Sequence, residues 1–255
     1  MDPFNIALAL RFRLVTSSWQ DSGHMTRVHF IGGEKGGVGK SVVSRVLSQY
    51  FIDHKIPFLG FDTDRSHGSL LRFYADFASP VVIDRYEGLD TIVEAAVADP
   101  ERRIVVDLAA QTQRFIAEWM QESGLLDPDN DLGLSLTYWH VMDSGRDSAD
   151  LLGKLLDQFG GKLKIVVVRN ELRGGDFEIL ESSGTLERAK ALNAGVMTLT
   201  RLQDASMQKI DGQNASFWAA TQRDAQGHPS LGLLERQRVK HWLRRAYEEL
   251  DRLAL

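Results

Sequence analysis

The ten residues Gly32-Gly33-Glu34-Lys35-Gly36-Gly37-Val38-Gly39-Lys40-Ser41 constrain this chain more than any other stretch. An apolar run, Val28-His29-Phe30-Ile31, precedes them, and a helical pattern, Val42 to Phe51, follows. Small residues between a strand and a helix let successive backbone N–H groups turn inward around phosphate oxygens, and the helix adds its positive end. Lys40 then meets the outer phosphates and the Ser41 hydroxyl ligates Mg²⁺, while Gly36, Gly37, Val38, Gly39 and Val42 complete the cradle. The strict pattern G-x-x-x-x-G-K-[ST] places its first glycine where this chain has Glu34, so the match fails by one residue. A lysine, Lys35, stands beside the failure. The plain alternative is a glycine-rich turn, and Lys-Ser directly after the last glycine weighs against it.

Downstream, short apolar runs alternate with helical patterns. The runs are Ile56 to Phe61, Val81 to Ile83, Arg103 to Leu108, one within Leu132 to Met142, Leu163 to Val168, and Val196 to Leu199. Helical spacing is expected around Phe115 to Met120, over Ala149 to Phe159, over Thr185 to Leu192, and over Leu231 to Leu253, where Leu234, Val239, Trp242, Leu243, Ala246, Leu250 and Leu253 form the apolar face. Continuous apolar strands separated by helices predict an α/β fold, a mostly parallel twisted sheet with helices on both faces. In such a sheet ligands sit beyond the carboxyl ends of the strands. The glycine loop, Asp62-Thr63-Asp64, Asp107 and Asn170 all fall at such ends. Asp211 to Pro229 is polar and gives the weakest structural signal, and Arg173-Gly174-Gly175-Asp176 reads as a loop.

Composition narrows the class. With 255 residues the chain suits one α/β domain, and its 43% hydrophobic and 25% charged content is that of a globular protein. No cysteine is present, which excludes disulfides and thiolate metal sites and suggests a cytoplasmic setting. The histidines show no metal-ligand spacing, and no Ser/His/Asp arrangement appears. Residues 1–24 read as a leader outside the fold, with Met25 as the natural start and 25–255 as a single domain. The net charge of −5 argues against general nucleic-acid binding. Arg236, Arg238, Lys240, Arg244 and Arg245 could still offer weak, nonspecific DNA contacts, but Glu235, Glu248, Glu249 and Asp251 favour a solvated face. A membrane partner is not expected.

The segment K-G-G-V-G-K-S resembles the deviant Walker A motif of the ParA/MinD ATPases, and the resemblance covers about residues 26–200. It implies a P-loop fold using ATP and Mg²⁺. It also implies that Lys35 reaches nucleotide held by a second subunit, so that an ATP-bound homodimer forms. Asp62 and Asp64 match the D-x-D segment after the second strand, the first near the metal and the second on the hydrolytic water. Asp107 matches the Walker B-type aspartate, which with Ser41 attends the metal, and Asn170 matches the residue at the adenine edge. Lys35, Lys40 and Asp64 are thus the expected catalytic residues. Two departures stand out: Arg65-Ser66-His67 replaces the usual switch segment, and Asp107-Leu108-Ala109-Ala110-Gln111-Thr112 lacks the usual proline. Gln111 is a candidate for the γ-phosphate side or for a helix start. The region around Asp107 and the following helix look closest to TraL/MobD-like ATPases of conjugative and mobilisable plasmids. The expected function is a slow ATPase switch, stimulated by an unidentified partner, in positioning, partitioning or plasmid transfer. An ATP-dependent synthetase on a dethiobiotin-synthetase-like scaffold and a non-hydrolysing ATP-binding scaffold are the alternatives.

Overall fold

A computed structural model describes residues 26–65, 68–127, 130, 132–222 and 231–253. The expected leader, Ser66-His67 of the switch segment and all of 223–229 lie outside these residues.

β1 (Thr26–Gly32) leads through the glycine loop into α1 (Lys40–Asp53), β2 (Phe58–Asp62) and the short α2 (Ser69–Phe73). β3 (Ala78–Pro80), α3 (Tyr86–Val97), β4 (Arg103–Asp107), α4 (Gln113–Glu122), β5 (Leu134–Met142) and α5 (Arg146–Phe159) follow. β6 (Lys164–Asn170) runs into a 3₁₀ turn (Glu171–Arg173), then α6 (Glu178–Ser182), α7 (Thr185–Ala191) and β7 (Gly195–Leu199). α8 (Asp204–Gly212), α9 (Phe217–Thr221) and α10 (Leu233–Arg252) complete the order. The strands form one sheet, β3-β2-β4-β1-β5-β6-β7, with every pairing parallel. Strand order reverses around β1, and the glycine loop leaves from that strand's carboxyl end.

Strand pleating sends successive side chains to opposite faces. From β1, β4 and β5, Val28, Phe30, Ile104, Val106 and Tyr138 pack beneath α3, α4, α5 and α7. Ile31, Val105, Trp139 and Val141 enter the second core with α1, α2 and the C-terminal helices. Because both faces are covered, the strands read as continuous apolar runs rather than alternating ones.

Three local expectations need correction. The third strand is Ala78–Pro80, not Val81 to Ile83. Pro80 lacks an N–H and suits an edge, whereas Ile83 is buried against α3 and Val82 is exposed. The helix expected from Ala149 begins at Arg146. Leu234 was expected on the apolar face of the last helix but is exposed. The buried row is Val239, Trp242, Leu243, Ala246 and Leu250, and extending its spacing backward passes Leu234 by.

The acidic end of α10 has a structural use. Glu249 accepts from the Thr198 N–H at 2.9 Å, and Asp251 accepts from the Tyr50 hydroxyl at 2.8 Å. The Trp242 indole donates to the Thr200 carbonyl at 2.6 Å. These contacts fix the last helix to both β7 and α1.

Candidate functional site

Backbone geometry makes the glycine loop possible. Gly39 has φ +94°, and a Cβ there would lie 2.1 Å from Asn170 Nδ2, so no side chain fits. The Gly39 carbonyl then accepts from the Val42 and Val43 N–H groups at 3.1 Å as α1 begins. Val38 is buried in the core below, while Gly36 and Gly37 form the exposed crown of the loop. Ser41 and Val42 lie half-buried in the first turn. That turn holds no acidic side chain of its own to offset the positive end of the 14-residue helix.

Lys40 folds back over this loop, its ammonium donating to the Lys35 carbonyl at 3.3 Å. Burial lowers its pKa, against the opposing pull of Asp107, Glu34 and Asp64. Those three carboxylates therefore surround the lysine. Asp64 is half-buried, and its backbone N–H donates to Asp62 Oδ1 at 3.1 Å.

Asp62 and Asp107 stand side by side, paired in register at the ends of β2 and β4. Both Asp62 oxygens are in use, Oδ1 on the Asp64 N–H and Oδ2 on the Leu71 N–H at 3.0 Å. Asp62 thus ties the backbone at Asp64 to α2. Asp107 differs. It is buried, its Oδ1 has no hydrogen-bond partner, and its pKa is pushed up to about 7 by burial first and Asp62 second. The Ser41 and Ser44 hydroxyls, and then Lys40, act the other way.

An unpartnered buried carboxylate oxygen beside a serine hydroxyl fits Mg²⁺, a hard ion that takes few protein ligands and keeps waters and substrate phosphates. Ser41 and Asp107 would hold it directly or through water, with Asp62 alongside. Among the described residues no group of three or more His, Cys, Asp or Glu side chains could cage a metal unaided. Phosphate oxygens would have to complete the shell.

Asn170 sits under the loop. Its Nδ2 donates to the Val38 carbonyl at 2.7 Å and its Oδ1 accepts from the Leu172 N–H at 3.2 Å. It braces the loop from β6, with one amide hydrogen left over. Gln111 is exposed, with the left-handed φ of 64°, and Thr112 rather than Gln111 occupies the N-cap position of α4.

No protein-family model matches the chain. Protein MobD of Acidithiobacillus ferrooxidans is 27% identical over 162 residues, 61% of this chain and 69% of that protein. Protein TraL of Escherichia coli is 24% identical over 246 residues, 91% of this chain and all of that protein. The chain is thus similar to MobD over more than half of its length and to TraL over nearly all of it. Looser likenesses extend to a nucleotide-binding protein of Archaeoglobus fulgidus in complex with ADP (15% identity, TM-score 0.46, covering 75% of this chain and 87% of that one). Hydrogenase maturation factor HypB of the same organism follows at 13% identity and TM-score 0.42, with 70% and 82% covered. Scores this low have no bearing on function.

The contacts of Glu34, Asp143 and Arg173 at this candidate site are not evident from the motif. Glu34, the residue that breaks the strict pattern, accepts from the Gln113 N–H at 2.8 Å and so ties the loop entrance to the start of α4. Asp143, one residue beyond β5, holds Lys35 at 3.1 Å and Arg173 at 3.3 Å. Burial works against the charge on Asp143, but the Ser148 hydroxyl, Lys35 and the Gly145 N–H together hold its pKa below the ordinary value. The available signal for Asp143 was its place at a strand's carboxyl end.

Proposed function

We propose that this chain is a Mg-ATP-dependent switch that dimerises when ATP is bound and dissociates after hydrolysis, serving positioning, partitioning or plasmid transfer. The observation that carries the reading is the unpartnered Asp107 Oδ1 beside Ser41, below a loop that already holds Lys40. Lys40 would neutralise the outer phosphates, and the N–H groups of the loop and first helical turn would bind their oxygens. Bound Mg²⁺ would supply charge neutralisation at the phosphates. Asp64, beside Lys40, would orient the attacking water.

Lys35 supports the dimeric part of the reading. Its side chain is 28% exposed at the rim of the loop, where it meets a carboxylate of its own chain. Exchange of that partner for phosphate held by a second copy would couple nucleotide to association. Two linkages lead outward from the site, Asp62 to α2 and Glu34 to α4. Through them, loss of the γ-phosphate would reach the surface a stimulating protein reads.

Sedimentation of the wild type and Lys35→Ala, without nucleotide and with ADP or ATP plus Mg²⁺, tests this. The expected result is dimerisation of the wild type with ATP alone and of Lys35→Ala under no condition. A wild type that stays monomeric with ATP, or a Lys35→Ala chain that dimerises equally well, refutes it. Asp64→Ala should bind ATP and turn it over far more slowly. Tight ATP-dependent dimers without turnover in the wild type would point instead to a non-hydrolysing scaffold.

A further inference from the structure

Arg173 ends the 3₁₀ turn that follows β6, a turn built onto the glycine loop. Asn170 anchors its start by donating to the Val38 carbonyl and accepting from the Leu172 N–H. The Leu172 side chain lies 3.9 Å from where Gly39 would carry a Cβ. Arg173 then reaches back over the crown, with one guanidinium nitrogen 3.1 Å from the Cβ position of Gly37. A second nitrogen is 3.3 Å from Asp143 Oδ2, the oxygen that Lys35 approaches at 3.1 Å. Two cations thus converge on one carboxylate at the mouth of the loop. Asp143 is only 5% exposed and also accepts from Ser148 Oγ at 2.6 Å and from the Gly145 N–H at 3.1 Å, so the carboxylate is fixed. The Arg173 side chain is 52% exposed.

We propose that Arg173 is a phosphate-binding residue of this site, parked on Asp143 until a nucleoside polyphosphate displaces it. This deepens the P-loop reading and rests on it. The crown of the loop is glycine and offers N–H groups but no side chains, so added charge must come from neighbouring elements. A guanidinium matches phosphate oxygens through two parallel N–H donors, whereas an ammonium acts as a point charge. Its stem stands on a turn that Asn170 locks to the loop, so the head needs only side-chain rotation to move from Asp143 to a phosphate above Gly37. Asp143 has four donors in the parked state and keeps those from Ser148 and Gly145 when the cations leave. Asp143 keeps Lys35, Ser148 and the Gly145 N–H when Arg173 is removed, so the loss of this half-exposed side chain should leave the fold intact.

The test is calorimetric binding of ATP and ADP with Mg²⁺ to the wild type, Arg173→Ala, Arg173→Lys, Asp143→Asn and, as a control, Lys40→Ala. Thermal melts establish that each variant folds. Arg173→Ala should weaken both nucleotides about tenfold at low salt and flatten the salt dependence of binding, because a charge has been removed from the phosphate site. Arg173→Lys should recover only part of the loss, and Asp143→Asn should tighten ATP binding several-fold by releasing both cations. Arg173→Ala binding ATP as the wild type does, or weakened equally at all salt concentrations, overturns the proposal. So does an Asp143→Asn variant that gains nothing. If Lys40→Ala also binds ATP normally, the phosphate-loop reading itself fails. If Lys40→Ala loses binding while Arg173→Ala does not, only the role of Arg173 falls.

Discussion

Replacing Asp107 with asparagine should stabilise the nucleotide-free chain, by an amount that grows with pH. Asp107 is buried, and its pKa rises from 3.8 to about 7, through burial first and Asp62 second. An acid with a raised folded pKa binds more protons folded than unfolded. Its contribution is therefore intact below pH 3.8 and lost as pH rises toward 7. A shift of this size corresponds to about 4 kcal/mol once both states are ionised. Asparagine keeps the shape and removes the titration. Urea unfolding of the wild type and Asp107→Asn in EDTA should show the stability difference moving about 3 kcal/mol in favour of the variant between pH 5 and pH 8. Comparing the difference at two pH values cancels any constant cost of the substitution. A difference that stays flat across that range would show that Asp107 is hydrated or otherwise compensated, and would remove the main argument for a metal position there. Asp107→Asn should also lose Mg²⁺-dependent nucleotide binding, making the gain in stability a loss of function.

Two further outcomes follow from other buried groups. Burial lowers the pKa of His140 from 6.5 to about 4, so this neutral imidazole costs stability as pH falls from 6.5 toward 4. Against the wild type, His140→Leu should gain about 2 kcal/mol between pH 7 and pH 5 in the same unfolding assay, and equal slopes would refute this. Arg45 is buried between the Phe73 and Phe217 rings, 3.6 and 4.5 Å from their centroids, with Asp211 at 2.8 Å. Arg45→Met, which keeps the volume, should stay within about 1 kcal/mol of the wild type, whereas Arg45→Ala should cost about 3 kcal/mol in denaturant melts. Equal costs would mean that charge rather than packing holds α1 to α2 and α9.

The general layout was legible in the sequence because strands covered on both faces leave uninterrupted apolar runs, as from Ile165 to Val168. The third strand was not, because a three-residue edge ending in Pro80 carries little apolar signal, while the adjacent Val81 to Ile83 imitates one. The short helices α2, α8 and α9 were likewise hidden. They are held by contacts distant in sequence, such as Arg72 donating to the Asp211 carbonyl at 2.9 Å. Within the candidate site, Lys40, Ser41, Asp62, Asp64, Asp107 and Asn170 stood out because each lies at a strand's carboxyl end or in the loop itself. What Glu34 and Arg173 touch did not. Their contacts reach Gln113 and Asp143, 79 and 30 residues away, and no local spacing encodes such a meeting.

The hydrogen bond from the Thr198 N–H to Glu249 has a consequence for polymerisation. A parallel sheet normally leaves unpaired amides along its outer strands, where a second molecule can add by strand pairing. Among the described residues, one margin of this sheet is a three-residue strand ending in Pro80, and at the other a donor of β7 is already taken by a carboxylate from the last helix. Both margins resist lateral growth. Strand addition between copies is thereby disfavoured, which would leave the proposed contact at the Lys35 rim, one that can close on itself, as the route to a dimer.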